Sequence, residues 1–213
     1  MNAATMADWF ARIAIMIPVF LGALSVHEFS HALAATLLGD DTPRKQGRLT
    51  LNPLAHVDFL GLLFLILIRI GWAKPVVFDH RNFKYPKLYS LFTAFAGPLS
   101  NFLMALASMY LLKMLPSEII PLALNKTFIQ ILQASVGVNI MLGVFNLLPL
   151  PPLDGGHVLM VFLNEYAPAA AAVIYQYSFF ILLGFLLLPF AGAVILGKLF
   201  VIAHTFLANL VFI

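Results

Sequence analysis

The residues best suited to chemistry form the stretch His27-Glu28-Phe29-Ser30-His31. Positions i and i+4 share one face of an α-helix, so His27 and His31 can offer two imidazoles to one metal ion. Glu28, next to the first histidine, can act as a general base toward water at that metal. The alternative is a pair of core histidines beside a glutamate that is paired with a nearby group. Because the surroundings are apolar, and ionisable groups within membrane spans are rare and usually functional, the pattern predicts a metal site.

A third ligand is needed, since a catalytic zinc site normally has three protein ligands. Asp154 is the one remaining acid in an apolar, motif-like setting, the stretch "NLLPLPPLDGGHV" (146–158). Prolines prevent a regular helix before Asp154, and Gly155 and Gly156 permit a sharp turn after it. Asp154 could instead cap the helix that follows. The missing third ligand, and the expected location of this stretch on the same side of the membrane as the end of the first helix, favour Asp154 as a metal ligand.

Apolar segments must position these residues. The chain has 213 residues, of which 62% are hydrophobic and 10% are charged, whereas a soluble domain carries about 25% charged residues. This composition predicts an all-α polytopic membrane protein with six hydrophobic segments, at about 9–38, 59–72, 88–115, 127–150, 167–189 and 191–212. All but one reach the roughly 20 residues that a span needs. The exception, 59–72, is predicted to be a short re-entrant or extended membrane-dipping element.

The whole chain, 1–213, is predicted to be one membrane domain, with a catalytic core at about 9–160 and a C-terminal helical hairpin at about 167–212. Its net charge is only +3, and eight of its twelve Lys and Arg residues fall between Arg44 and Lys87. This local cluster indicates contact with a membrane surface and no nucleic-acid partner. If both basic loops that flank 59–72 are cytoplasmic, the predicted site lies nearer the cytoplasmic side. The absence of cysteine excludes Cys-based metal sites and a thiol nucleophile.

Three separated motifs, "HEFSH" (27–31), "AGPLSN" (96–101) and "NLLPLPPLDGG" (146–156), together resemble the site-2 protease family of intramembrane zinc metalloproteases. The stretches "KQGRLTLNPLAH" (45–56) and "GWAKPV" (71–76) extend the resemblance, which is to the short prokaryotic branch without PDZ or CBS domains. The resemblance implies one Zn²⁺ per chain held by His27, His31 and Asp154, with Glu28 activating water. It also implies that Asn146 helps to hold the scissile carbonyl or its oxyanion.

By the same resemblance, the protein is an enzyme of the prokaryotic cell membrane. It would hydrolyse peptide bonds within or near the transmembrane segments of membrane-protein substrates. The resemblance further implies a substrate groove, an extended stretch against which an unwound substrate pairs as an added strand. By this resemblance, Gly71, Trp72, Ala73 and Lys74 are expected to form that groove.

Further polar residues have less defined roles. Asn101 can hydrogen-bond across closely packed helices, and helix packing explains it better than catalysis does. His56 could support a ligand or line a water path, or it could lie in a solvated loop. His157 follows Asp154 by three residues and could approach the metal site. No role is predicted for His80 or His204.

Two other functions fit part of the pattern. A membrane metal-ion transporter or sensor would use the same three ligands, but Glu28 would have no necessary role, and the chain lacks the internal repeat common in transporters. A zinc enzyme acting on lipid or prenylated substrates would leave Asn146 and "GWAKPV" unexplained. The sequence therefore favours an intramembrane zinc endopeptidase.

Overall fold

A computed structural model describes residues 3–61, 63, 74–115, 122–187 and 191–212. The α-helices with described bounds are α1 (Ala3–Leu37), α2 (Thr42–Lys45), α3 (Pro86–Met114), α4 (Leu122–Asn146), α5 (Asp154–Tyr166), α6 (Pro168–Gln176), α7 (Ser178–Leu187) and α8 (Ala191–Phe212). Short 3₁₀ helices cover Pro53–Ala55 and His80–Asn82. Residues 59–61 and 63 are also helical, and 74–79 form an extended segment.

Among the described residues, four helices are long and apolar enough to cross a membrane, within α1, α3, α4 and α8, or five if the bent pair α6–α7 is counted as one span. The prediction of an all-α polytopic membrane protein is therefore confirmed. The apolar core of the bundle lies between α3, α4 and α8, where each helix contributes buried aliphatic side chains: Ala105, Met109, Val136, Ile140, Val144, Leu207 and Val211.

Side-chain contacts fix the directions of the helices. Asn101 of α3 bonds to Asn139 of α4, and Ser108 bonds to Ser135, so α3 and α4 run antiparallel. Asn101 also reaches the backbone of Ala23 in α1. The three helices therefore meet at one level of the bundle, and polar side chains mark that level.

The last helix runs parallel to α3. The Lys113 ammonium donates to the Val211 carbonyl, and the Tyr110 hydroxyl donates to the Leu210 carbonyl at 3.2 Å, so α3 and α8 end side by side. A basic group at this place satisfies carbonyls that the helix leaves unpaired and complements its dipole.

The end of α5 lies at the opposite pole of the bundle. There Lys87, at the start of α3, pairs with Glu165 at 2.7 Å. Hence α4 and α5 together cross the bundle once, from the end at which α3 finishes back to the end at which α3 begins. Because α8 then runs parallel to α3, α6 and α7 add no net crossing. The segment at 167–189, long enough by sequence to span, is in fact two helices bent by 61° in the part that the structure describes.

Most of the predicted membrane-dipping element, 59–72, lies outside the described residues, as do Gly71, Trp72 and Ala73 of the predicted groove. Its two flanks are adjacent, because the Lys74 N–H donates to the His56 carbonyl at 2.8 Å. Asp40, after α1, accepts the Asp79 N–H at 2.6 Å. Both basic loops therefore lie at the same end of the bundle.

Candidate metal centre

The structure brings together the three side chains that the sequence predicted as metal ligands. His27 and His31 lie one turn apart on α1, with 3.1 Å between their Nε2 atoms. The Asp154 carboxylate, at the first residue of α5, faces both: Oδ2 is 3.2 Å from His27 Nε2, and Oδ1 is 3.3 Å from His31 Nε2. The histidines are buried, at 4% and 6% exposure. Each residue thus offers one ligand atom to a common centre.

Asp154 reaches this position because α5 starts directly against the loop that precedes it. A Cβ on Gly155 would lie 2.3 Å from the Leu147 carbonyl oxygen, and one on Gly156 would lie 2.3 Å from the Pro151 nitrogen. Since both obstacles are backbone atoms, only glycine allows this close approach. The residue that caps α5 is Leu153, and its side chain makes no cap hydrogen bond. The alternative role of Asp154 as a helix cap therefore finds no support in the geometry.

Both histidines are oriented with Nε2 toward the centre. His31 Nδ1 lies 2.7 Å from the Thr93 carbonyl oxygen. Because a carbonyl only accepts, Nδ1 carries the proton and Nε2 keeps its lone pair. His27 Nδ1 lies 2.7 Å from the Asn101 side-chain oxygen, which sets the same tautomer. Metal-binding histidines in proteins are typically held in this way.

A cation fits this arrangement. Two imidazole lone pairs and a carboxylate converge without a hydrogen-bond donor between them, and Asp154 Oδ2 is buried without a hydrogen-bond partner in the structure. An unsatisfied buried acceptor is costly, and like-signed atoms in contact repel each other, so a metal ion would relieve both. Nitrogen and carboxylate oxygen are the donors that zinc prefers alongside thiolate.

Gly97 of α3 leaves open the space beside the two ligand nitrogens. A Cβ at this position would lie 2.3 Å from His31 Nε2 and 2.7 Å from His27 Nε2. The sequence had suggested only helix packing for the "AGPLSN" stretch. In the structure its glycine borders the candidate metal centre, and no local signal in the sequence distinguishes this position from helix packing.

Glu28 points toward the extended segment. Its side chain is 7% exposed, and its Oε2 accepts the Val76 N–H at 3.1 Å. Hydrogen bonds anchor this segment at both ends: the Lys74 N–H donates to the His56 carbonyl, and the Asp79 N–H donates to the Asp40 carboxylate. A rigid backbone donor therefore orients the carboxylate that the sequence predicted as the general base.

Asp40 is the polar anchor of this segment. Its carboxylate is fully buried and accepts hydrogen bonds from the Thr42 hydroxyl and N–H, the Asp79 N–H and the Asn82 amide. Burial alone would raise the pKa of Asp40, but the hydrogen bonds from Thr42, Asn82 and Asp79 outweigh it and lower the pKa below its ordinary value. Asp40 was not predicted as a functional residue, because no local feature of the sequence distinguishes it from its exposed neighbour Asp41.

The remaining predicted residues lie outside the ligand set. His56 is fully buried and bonds through Nε2 to the Thr50 carbonyl at 2.8 Å, so it supports the loop. His157 packs edge-on against Phe78, with 5.2 Å between ring centroids. Asn146 ends α4 and donates to the Leu142 carbonyl of its own helix at 3.0 Å.

These features define a bundle of apolar, membrane-spanning helices in which an HExxH helix and a distant aspartate form a candidate metal site. Comparison with known proteins identifies its family. The model of "Peptidase family M50" matches residues 114–186. "Putative zinc metalloprotease YwhC" of Bacillus subtilis (strain 168) is 34% identical over 173 residues, which cover 80% of this chain and 79% of that protein. "Putative zinc metalloprotease Rip2" of Mycolicibacterium smegmatis is 31% identical over 182 residues, 82% of this chain and 67% of that protein.

The Rip2 protein of Mycobacterium tuberculosis (strain H37Rv) is likewise 31% identical, over 187 residues that cover 84% of this chain and 70% of that protein. No solved structure matches the chain. The chain belongs to peptidase family M50, the site-2 protease family. It is thus a protease of the zinc metalloprotease type, as the resemblance of its motifs implied.

Proposed function

We propose that this protein is an intramembrane zinc endopeptidase that cuts membrane-protein substrates within or near their transmembrane segments. The observation that carries the proposal is the depth of the candidate centre. Gly97, which borders both ligand nitrogens, follows the start of α3 at Pro86 by eleven residues, or roughly 16 Å of helix at about 1.5 Å per residue. The hydrocarbon core of a bilayer is about 30 Å thick, so the ligands lie within the span.

His27, His31 and Asp154 would hold one zinc ion per chain, since they form one three-ligand set. When bound there, zinc supplies Lewis-acid chemistry, which polarises a peptide carbonyl and makes water more acidic. Glu28 takes the proton from the attacking water and returns it to the departing amine nitrogen. The Val76 N–H holds one Glu28 oxygen in place during both transfers.

The extended segment 74–79 is suited to present a substrate. The N–H groups of Lys74 and Val76 both point into the protein, to His56 and to Glu28. Backbone N–H and C=O groups alternate in direction along an extended chain. Those of Val77 therefore face away from Glu28 and are available to pair with an added substrate strand. A substrate in extended form exposes backbone carbonyls that would be hydrogen-bonded within its own helix if it were helical.

Asn146 is the candidate donor to the carbonyl oxygen of the substrate. It ends α4, eight residues before Asp154. Its amide would exchange the bond to Leu142 for one to the substrate. Water and the leaving peptide would pass on the cytoplasmic side, because the basic loops at that end of the bundle follow the positive-inside rule.

Glu28→Gln tests the proposal, because an amide is nearly isosteric but cannot accept the proton. Membranes of cells carrying wild type or Glu28→Gln are compared by quantitative proteomics for a protein that accumulates uncut only with the variant. Both purified proteins should contain one zinc per chain, and only wild type should cleave that substrate. Cleavage by Glu28→Gln at near wild-type rate would refute the protease mechanism. A metal carrier, by contrast, would work equally well with either residue.

A further inference from the structure

A chain of buried side-chain hydrogen bonds runs from His27 into the centre of the bundle. Asn101 Oδ1 contacts His27 Nδ1 at 2.7 Å, and Asn101 Nδ2 donates to Asn139 Oδ1 at 2.9 Å. Asn139 Nδ2 donates in turn to the Ser135 carbonyl at 2.9 Å. Both asparagines are buried, at 0% and 1% exposure. Asn139 thus belongs to the candidate centre through Asn101.

The direction of every bond in this chain follows from main-chain carbonyls, which can only accept. The Ser135 carbonyl requires the amide nitrogen of Asn139 on its side, which turns the Asn139 oxygen toward Asn101. Asn101 must then donate to that oxygen, and it also donates to the Ala23 carbonyl at 3.3 Å. The Asn101 oxygen is left for His27, whose Nδ1 must be the protonated nitrogen.

The two histidines are therefore supported differently. His31 is set by the main-chain carbonyl of Thr93, which no side-chain substitution removes. His27 depends on an amide, whose nitrogen is held by Asn139 at 2.9 Å and by the Ala23 carbonyl at 3.3 Å. Without Asn139, only the longer of these bonds opposes a half turn that would present the amide nitrogen to His27 instead of the oxygen. In that orientation His27 would carry its proton on Nε2, and the lone pair that a metal needs would be lost.

We propose that Asn139 is a positioning residue that fixes the tautomer of His27, and thereby the metal affinity of the centre, by holding the Asn101 amide in one orientation. The inference rests on the proposed role of His27 as a metal ligand. Asn139 hydrogen-bonds to Asn101 rather than to His27, so it acts through another residue. Outer partners of ligand histidines typically contribute about 10–100-fold to metal affinity, which sets the expected effect.

The test compares Asn139→Leu with Asn139→Asp. Leucine has a similar size but no acceptor for Asn101. Aspartate, in either protonation state, keeps an oxygen facing Asn101. We expect zinc binding by purified protein in detergent, measured by chelator competition, to weaken about 10–100-fold in Asn139→Leu, and to stay within about threefold of wild type in Asn139→Asp. Ser108→Ala is the matched control, because it removes a hydroxyl that bonds to Ser135 beyond Asn139; it should leave zinc binding unchanged.

A second readout follows the tautomer itself. In metal-free protein labelled with ¹⁵N-histidine, the imidazole signal that is missing in His27→Ala belongs to His27. We expect that signal to report Nδ1–H in wild type and a new Nε2–H population in Asn139→Leu. A residue that merely stabilised the bundle would lower the melting temperature without changing this ratio.

The possible results separate the inference from the proposed function. Wild-type zinc affinity in folded Asn139→Leu, or equal weakening in Asn139→Asp, would overturn the role of Asn139. If Asn139→Leu does not fold, Asn139→Ala replaces it with the same expected loss. His31→Ala tests the metal centre separately: retained zinc there would refute the ligand assignment, whatever the Asn139 variants show.

Discussion

Replacing Gly97 with alanine would place a methyl group against both ligand histidines. The added Cβ would lie 2.3 Å from His31 Nε2 and 2.7 Å from His27 Cε1 and Nε2. Ordinary contacts of a Cβ begin near 3.4 Å, so the imidazoles or the α3 backbone must move by about 1 Å. Ligand distances in a metal site are defined to within about 0.2 Å, and a shift of this size abolishes the three-ligand geometry. Gly97→Ala should therefore lose zinc.

The size of the effect follows from two opposing contributions. Gly to Ala in a helix interior normally stabilises by about 0.5–1 kcal/mol. In Gly97→Ala, displaced imidazoles would also lose the hydrogen bonds to Asn101 and Thr93, and each acceptor left buried without a partner costs about 1–3 kcal/mol, or about 2–6 kcal/mol for the two. The metal-free variant should therefore be destabilised by about 1–5 kcal/mol, and its zinc affinity should fall by more than about 100-fold, beyond the range for outer partners.

Gly22→Ala is the matched control, because it lies in α1 and its Cβ would meet nothing within 4 Å. Zinc per chain by mass spectrometry, and thermal unfolding in detergent with a chelator, are measured for both variants. Gly22→Ala should bind one zinc and unfold at or slightly above the wild-type temperature. Full zinc occupancy in Gly97→Ala would show that the ligand nitrogens do not converge beside α3.

Three further outcomes are expected. Asp154→Asn should fold but bind zinc weakly, because the anionic oxygen is lost; full zinc content and activity would contradict its role as a ligand. Asp40→Asn should be less stable than wild type at pH 7. The pKa of Asp40 is lower in the folded protein than in the unfolded chain. Its ionised carboxylate therefore adds to the free energy of unfolding above the unfolded pKa of about 3.9, and this contribution is lost as pH falls through the folded pKa. Chelator-treated melts at pH 7 and pH 3 should show the difference shrinking, and a constant difference would refute this. Single cysteines at Gln46 and Lys84 should label from one side of the membrane and at Met114 from the other, since the chain has no native cysteine; labelling of Gln46 and Lys84 from opposite sides would contradict the fold.

The sequence predicted the parts of the site whose signals are local. The spacing of His27 and His31 follows from helical geometry alone, and Asp154 was recognisable because prolines and glycines surround it in an apolar segment. Asp154, the predicted third ligand, lies far away in sequence, and the need to complete a metal site pointed to it; the structure places its carboxylate beside both histidines. The proximity of these three side chains could therefore be predicted before the fold was known.

The sequence could not predict how the elements run relative to one another. Length and hydropathy describe 167–189 as a span, but its described part is bent by 61°. The contact between Lys113 and Val211, which sets the direction of α8, also depends on tertiary packing. Asp40 and Asn139 were missed for the same reason, because their partners lie on other elements. A polar Asn139 within an apolar span was a usable signal, since such residues in a membrane rarely lack a partner.

The candidate metal centre lies between two antiparallel helix faces with the same four-residue period. On α1 the predicted ligands are His27 and His31; on α3 the facing residues are Thr93, Gly97 and Asn101. Because the helices run in opposite directions, the later histidine meets the earlier partner: His31 bonds to Thr93 and His27 to Asn101, while Gly97 leaves the space between them. The HExxH helix alone can neither set the tautomers of its histidines nor open room for an ion. The glycine and asparagine of "AGPLSN" therefore do more than pack two helices: Gly97 leaves space beside the predicted ligands, and Asn101 orients His27.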